Sequence, residues 1–151
     1  MATIKAICTS EKKGTAKKTV PGAVLVEEHG LENDAHAGPG LRQVSLLSLE
    51  KIEDFRARGA IAPFGCFGEN LVVEGVDFAV LPLGTRFASG DVLLELSKIG
   101  KECHTRCQIF HTMGDCIMPT QGVFARVLRG GTITVGGEFT VIPPDIPLAS
   151  R

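Results

Sequence analysis

The sequence predicts a mostly-β single domain with one or two short helices, and three observations point that way. Eighteen glycines and eight prolines break the chain into short apolar runs, the texture of an all-β barrel or sandwich. Apolar residues make up 44% of the 151, enough to bury one substantial core without disulfide or metal support. Only one stretch, near Leu49–Ala57, carries its apolar residues at helical spacing.

Taken in order, Thr3–Cys8 reads as an opening strand, followed by a lysine- and glycine-rich loop from Ser10 to Pro21. Ala23–Glu28 is a second strand running into the turn-rich Gly30–Asp34, and Gln43–Leu47 is a third. Leu49, Ile52 and Phe55 then fall on one helical face, with Ser48 placed to cap the helix and Gly59 to end it. Glu69–Val73, Thr85–Ala88 and Val92–Ser97 are further strands. Val123–Leu128, Thr132–Val135 and Glu138–Ile142 suggest a meander, with Gly130-Gly131 and Gly136-Gly137 as tight hairpin turns. The domain is expected to span 1–143. Residues 144–151 form a tail rich in proline, which cannot donate to a ladder, so the tail is expected to be loosely held.

Sixteen Lys and Arg against 17 Asp and Glu leave a net charge of -1, which argues against a nucleic-acid partner. Lys12, Lys13, Lys17 and Lys18 form a local basic cluster, better suited to a small anion than to a polyanion. With no tyrosine or tryptophan, a stacking platform for bases is not expected. No apolar run approaches the roughly 18 residues of a membrane span, and no secretory signal opens the chain. The expected compartment is the cytoplasm, with no membrane partner, and there the five cysteines would stay thiols.

The densest chemistry lies in Gly100–His111, with Cys116 following. Thiolate is the form that transfers sulfur or binds metal, and nearby positive charge lowers a thiol pKa. Lys101, His104, Arg106 and His111 offer such charge to Cys103 and Cys107, while Glu102 opposes it. Cys103 and Cys107 share a face whether the segment is helical or extended. Cys8 and Cys66 read as small buried hydrophobes. Cys103, Cys107, Cys116 and a histidine also amount to a zinc ligand set, though no C-x2-C knuckle accompanies them.

The neighbouring residues carry a family resemblance. Gly30-Leu31-Glu32-Asn33-Asp34-Ala35-His36-Ala37-Gly38, followed by Arg42-Gln43-Val44-Ser45, is similar to the Gly-Leu-x-Gly-Asp-x-His block of the MOSC family, named for the C-terminal domain of molybdenum-cofactor sulfurases. Phe67-Gly68-Glu69-Asn70-Leu71 resembles its Gly-Glu-Asn-Leu strand start. Arg106-Cys107-Gln108-Ile109 with Gly122-Val123-Phe124-Ala125-Arg126-Val127-Leu128 resembles its cysteine and following strand. Asn33 departs from the pattern by standing where the family often has glycine.

This resemblance implies a MOSC-like β-barrel with a cleft handling the molybdenum cofactor, a pyranopterin, or sulfur bound for it. It puts the role of molybdenum ligand or persulfide carrier on Cys107, with Cys103 as the alternate. Beside the larger members the chain is minimal: it lacks the extra N-terminal barrel and also the sulfurases' pyridoxal-phosphate domain, through which pyridoxal-phosphate binding is associated with the family. Reduction of N-hydroxylated compounds or cofactor sulfuration are the implied activities. The implied partners are a pterin cofactor or small-molecule substrate, and a cysteine desulfurase or another cofactor-biosynthesis protein.

Other candidates attach to that reading, each with a plainer alternative. Asp34 and His36 can orient a cofactor or hold a proton, or Asp34 closes a turn and His36 is exposed. Arg42 suits bidentate phosphate contact, or is a surface arginine. Lys13, beside Lys12 and Gly14, can grip a phosphate, or is solvated; Arg106 is a further anion contact. Asn70 can hydrogen-bond a pterin or close a turn. A non-catalytic cofactor-binding or docking module and a zinc-stabilised structural domain remain as alternative functions.

Overall fold

The computed structural model describes residues 2–10, 17–35, 37–40, 43–57, 59, 64–65, 69–99 and 122–144. In chain order they form β1 (Ala2–Thr9), β2 (Lys18–Val20), β3 (Gly22–Val26), β4 (Gly30–Leu31), β5 (Val44–Ser48) and the helix α1 (Leu49–Ala57). Then come β6 (Leu71–Glu74), a 3-10 turn at Phe78–Val80, β7 (Arg86–Ser89) and β8 (Val92–Ile99). β9 (Val123–Arg129), β10 (Gly131–Thr134) and β11 (Glu138–Ile142) complete the set.

The main sheet runs β11-β7-β8-β9-β5-β6-β1 and closes on itself where Ala2 and Thr3 pair with Phe139 and Glu138. Closure leaves the barrel no free edge. Strand β1 can serve three neighbours because it is long: its first residues meet β11, its last three meet β2, and its other edge meets β6. A bulge between Ile4 and Ala6 lets Ile4 and Ile7, three positions apart, both join the barrel core. β5 and β6 are parallel and are joined through α1, as parallel pairs require a crossover.

Inside the barrel Phe78, Phe87 and Phe139 form an aromatic knot, with centroids 5.5 Å (78–87), 6.1 Å (78–139) and 5.1 Å (87–139) apart. All three are at most 1% exposed, each contributing about 1.5–3 kcal/mol from burial. Leu47 and Val72 point to the opposite face from Leu46 and Leu71, yet are also buried. There α1 packs on β5 and β6, burying Leu49, Ile52 and Phe55 as their spacing predicts.

The one α-helix among the described residues matches the expectation at its bounds. Its cap does not: the Ser48 hydroxyl donates to the Glu50 carboxylate at 2.9 Å, the same carboxylate that accepts the Gly75 N–H at 3.3 Å. Gly59 ends the helix with φ +95°, its N–H on the Arg56 carbonyl at 2.9 Å. The expected terminal meander is absent. β9 pairs with β5 and β8, β11 pairs with β7 and β1, and β10 leaves to pair with β3 in a separate three-stranded sheet β10-β3-β4. Gly130 serves that crossing, since a Cβ there would run into the Leu25 carbonyl. The short strands β2 and β4 stand where loop and turn were expected. The expected tail from residue 145 onward lies outside the described residues.

Candidate functional site

Where β1 ends and β5 and β6 begin, a buried polar network gathers residues from four distant parts of the chain. Asn33 adopts φ +67°, turning the chain after β4, and the Asp34 N–H closes the turn on the Leu31 carbonyl at 3.2 Å. The Asp34 carboxylate is thereby pointed inward. Its Oδ1 accepts the Lys17 ammonium at 2.7 Å and the Ser10 N–H at 3.0 Å, and the Lys17 ammonium also donates to Ser10 Oγ at 3.2 Å. Burial pushes the Asp34 carboxyl up, but the hydrogen bond and charge of Lys17, with the Ser10 N–H and the Asn70 side chain, outweigh it. The net result is a carboxyl held below its ordinary value.

Asn70 joins this network to the barrel. Its Oδ1 accepts the Ser45 N–H at 2.9 Å and the Ser45 hydroxyl at 3.0 Å, and its Nδ2 donates to the Cys8 carbonyl at 3.1 Å. The Cys8 N–H donates in turn to the Asn70 carbonyl at 2.7 Å. One carboxamide thus ties β1, β5 and the start of β6 together. Beside it the fully buried Glu69 accepts the Gly65 N–H at 2.8 Å, and the Gly65 carbonyl accepts the Lys17 N–H at 2.8 Å. Gly65 has φ +91°, and a Cβ there would collide with the Lys17 carbonyl.

A second cluster fixes the other end of the Gly30–Ser45 stretch. Gln43, 1% exposed, accepts the Val127 N–H on Oε1 at 2.9 Å and donates from Nε2 to the Gly40 carbonyl at 3.0 Å. Gly30, at φ +126°, passes so close that a Cβ would strike the Gln43 carbonyl. Arg126 grips Glu28 with both Nε, at 3.1 Å, and Nη2. The Arg126 guanidinium draws the Glu28 carboxyl below its ordinary value, and Glu28 raises that of Arg126.

The MOSC domain family model matches residues 32–140, from beside Asp34 to β11, well over half of the sequence. The chain belongs to the MOSC domain family. Among solved structures, the YuaD protein from Bacillus subtilis superposes with a TM-score of 0.76 at 17% identity, covering 93% of this chain and 96% of that one. YiiM from Geobacillus stearothermophilus gives 0.72 at 20% identity, covering 94% of this chain and 75% of that one. YiiM from Escherichia coli gives 0.65 at 18% identity, over 93% and 69% of the two chains. At these identities the likeness is one of fold. None of the curated proteins matches the chain in sequence. The MOSC family is associated with the molybdenum cofactor.

In this MOSC domain the residues expected at the site divide into two groups. Asp34 and Asn70, from separate sequence blocks, meet at this network, where the Asn70 side chain helps to lower the Asp34 carboxyl. Asp34 closes a turn with its backbone, the plainer of its two readings, while its side chain is held in a buried network. Lys13, His36, Arg42, Cys103, Arg106 and Cys107 lie outside the described residues, as do Lys12, Cys66 and Cys116. Cys8 is a buried thiol, as expected. Lys17, Ser10, Ser45, Gln43 and Glu69 were missed as members of the site. The sequence marks Lys17 only as one lysine of a basic loop, and nothing local separates it from its exposed neighbour Lys18.

The anchors surround the missing candidates in sequence. Ser10 and Lys17 flank Lys13; Ala35, bonded to the Ser10 carbonyl at 2.8 Å, and Ala37 flank His36; Gly40 and Gln43 flank Arg42. The segment bearing Cys103, Arg106 and Cys107 leaves β8 and re-enters β9 at one place, because Ile99 pairs with Val123. Val123 pairs with Leu46, which in turn pairs with Leu71, the neighbour of Asn70. Two strand spacings, about 10 Å, therefore separate the root of that segment from the start of β6 beside Asn70. Among the described residues no three His, Cys, Asp or Glu side chains cluster to hold a metal. The residue types that suit the molybdenum cofactor, a thiol for the metal with lysine and arginine for a phosphate, are carried in the sequence by segments outside the described residues. No helix among the described residues is long and apolar enough to cross a membrane.

Proposed function

We propose that this MOSC domain holds the molybdenum cofactor, or sulfur bound for it, at a site built over the Asp34–Asn70 network, with Cys107 as soft ligand or persulfide carrier. The observation that carries the reading is the buried network itself, which unites two of the family's sequence blocks and whose members Ser10, Lys17 and Asp34 stand close in sequence to Lys13 and His36. When bound, the cofactor supplies the redox-active metal. The chain's own residues bind and orient: Lys13, Arg42 and Arg106 neutralise a phosphate, His36 holds a proton, and Cys103 is the alternate thiol. Lys17, Asp34 and Asn70 are positioning residues, since their own hydrogen bonds are spent within the protein. A cysteine desulfurase or another cofactor-biosynthesis protein is the partner class that this chemistry needs as sulfur donor.

Protein purified without oxygen from a cofactor-competent host is expected to contain molybdenum and a fluorescent pterin, or to accept sulfane sulfur from a desulfurase. Protein that does neither would sink the proposal. Turnover of an N-hydroxylated compound then separates a catalyst from a binding or docking module.

A further inference from the structure

A hollow of ≈ 360 Å³ opens on the outer face of the small sheet. Thr9 and Asn33 of its lining adjoin Ser10 and Asp34 in sequence, but none of the described lining residues is a hydrogen-bonded member of the buried network. Gly22 lines it without a side chain, and a Cβ there would press to 3.0 Å from the Ile133 carbonyl and 3.4 Å from the Thr134 methyl. Val20 and Val24 form apolar walls, and Val24 is 43% exposed, unusually open for a strand valine. Thr9, Thr132 and Asn33 add neutral hydrogen-bonding groups.

Among the described residues that line the hollow, Glu32 is the one ionised group, and it makes no ion pair with another described residue. A phosphate or carboxylate would be repelled by Glu32. A compact organic cation meets the opposite: a carboxylate for its charge, hydroxyls and an amide for its remaining N–H groups, and valines for its hydrocarbon. The volume falls in the range of about 300–1,000 Å³ that small-molecule sites occupy.

We propose that the hollow over Gly22, walled by Val20 and Val24 with Glu32 at its rim, binds a small organic cation made of an ammonium group on a compact apolar body. The proposal does not rest on the cofactor reading, since none of the described residues that line the hollow has a role in that reading.

The test titrates three isosteric probes into the ¹⁵N-labelled full chain and follows amide resonances: benzylamine as the cation, benzyl alcohol as the neutral form and benzoate as the anion. Benzylamine is expected to shift Thr9, Gly22, Val24, Glu32 and Asn33 saturably, with benzyl alcohol weaker and benzoate without effect. Glu32→Gln is expected to weaken benzylamine about three- to fivefold, the scale of one exposed ion pair, while leaving benzyl alcohol unchanged. Gly22→Val is expected to abolish both while the rest of the spectrum stays dispersed; if it fails to fold, Glu32→Gln carries the test alone. Equal binding of benzoate, shifts scattered away from this set, or a benzylamine affinity indifferent to Glu32→Gln would overturn the proposal. None of these readings depends on molybdenum or sulfur content.

Discussion

The Lys17 ammonium stands 2.7 Å from Asp34 Oδ1, and neither side chain reaches solvent. A buried pair of this kind brings little net stability over a well-packed apolar pair, but breaking it strands a charge in a low-dielectric interior. Lys17→Met and Asp34→Asn are each expected to cost about 3–5 kcal/mol, because each leaves its former partner uncompensated. The double substitution is expected to cost clearly less than the sum, which urea unfolding of the four proteins would measure. Additive losses would mean that the two residues act independently.

The same pair sets an acid limb. The folded Asp34 carboxyl lies below the ordinary value of 3.8, so the unfolded chain binds its proton first as pH falls. Stability from this group is therefore complete above the ordinary carboxylate value and is lost as pH drops through the lower folded value. Asp34→Asn is expected to flatten that part of the stability profile between neutral pH and about pH 2, where the wild-type chain keeps falling. Unfolding midpoints measured across that interval would reveal it, and an unchanged acid slope in the variant would count against the assignment.

Two glycines with positive φ should respond differently to alanine. Gly59 has φ +95° with open space around it, so Gly59→Ala meets only backbone strain, about 1–2 kcal/mol. Gly65 combines φ +91° with a Cβ path blocked by the Lys17 carbonyl, so something must also move. Gly65→Ala is expected to cost at least about 2 kcal/mol more, and to loosen Lys17 with it. Comparing the two variants by denaturant unfolding separates strain from collision.

Local pattern carried the strands and the helix, and long-range pairing did not follow from it. Leu49, Ile52 and Phe55 define α1 because a helix writes its buried face into its own spacing. β2 has three residues with Lys18 and Thr19 exposed, and it is a strand only because β1 lies beside it. Gly130-Gly131 has the composition of a hairpin, yet it carries the chain from barrel to small sheet, and composition alone does not say which. At the site, Asp34 and Asn70 could be picked out through their motif neighbours. Lys17 could not, since a lysine among lysines in a polar loop reads as solvated until the fold brings Asp34 over it.

Cys107 is the thiol on which the proposed function turns, and substitution can separate that role from a structural one. Its segment lies between Ile99 and Val123, which pair directly and close the sheet there. Serine is nearly isosteric with cysteine, yet it is a far weaker ligand for a soft metal and cannot hold a persulfide. Cys107→Ser is therefore expected to lose molybdenum or sulfane sulfur almost completely while its unfolding midpoint stays within the error of wild type. Cys103→Ser should lose less. Cys8 supplies the opposite control: it is fully buried at the end of β1, so Cys8→Ser is expected to cost about 1–3 kcal/mol in stability, with unchanged loading per folded molecule. Thiol labelling at limiting reagent near neutral pH, read by peptide mass, should modify Cys107 first, because Arg106 and Lys101 favour its thiolate. If Cys107→Ser keeps full loading and Cys103→Ser loses it, the ligand or carrier role passes to Cys103.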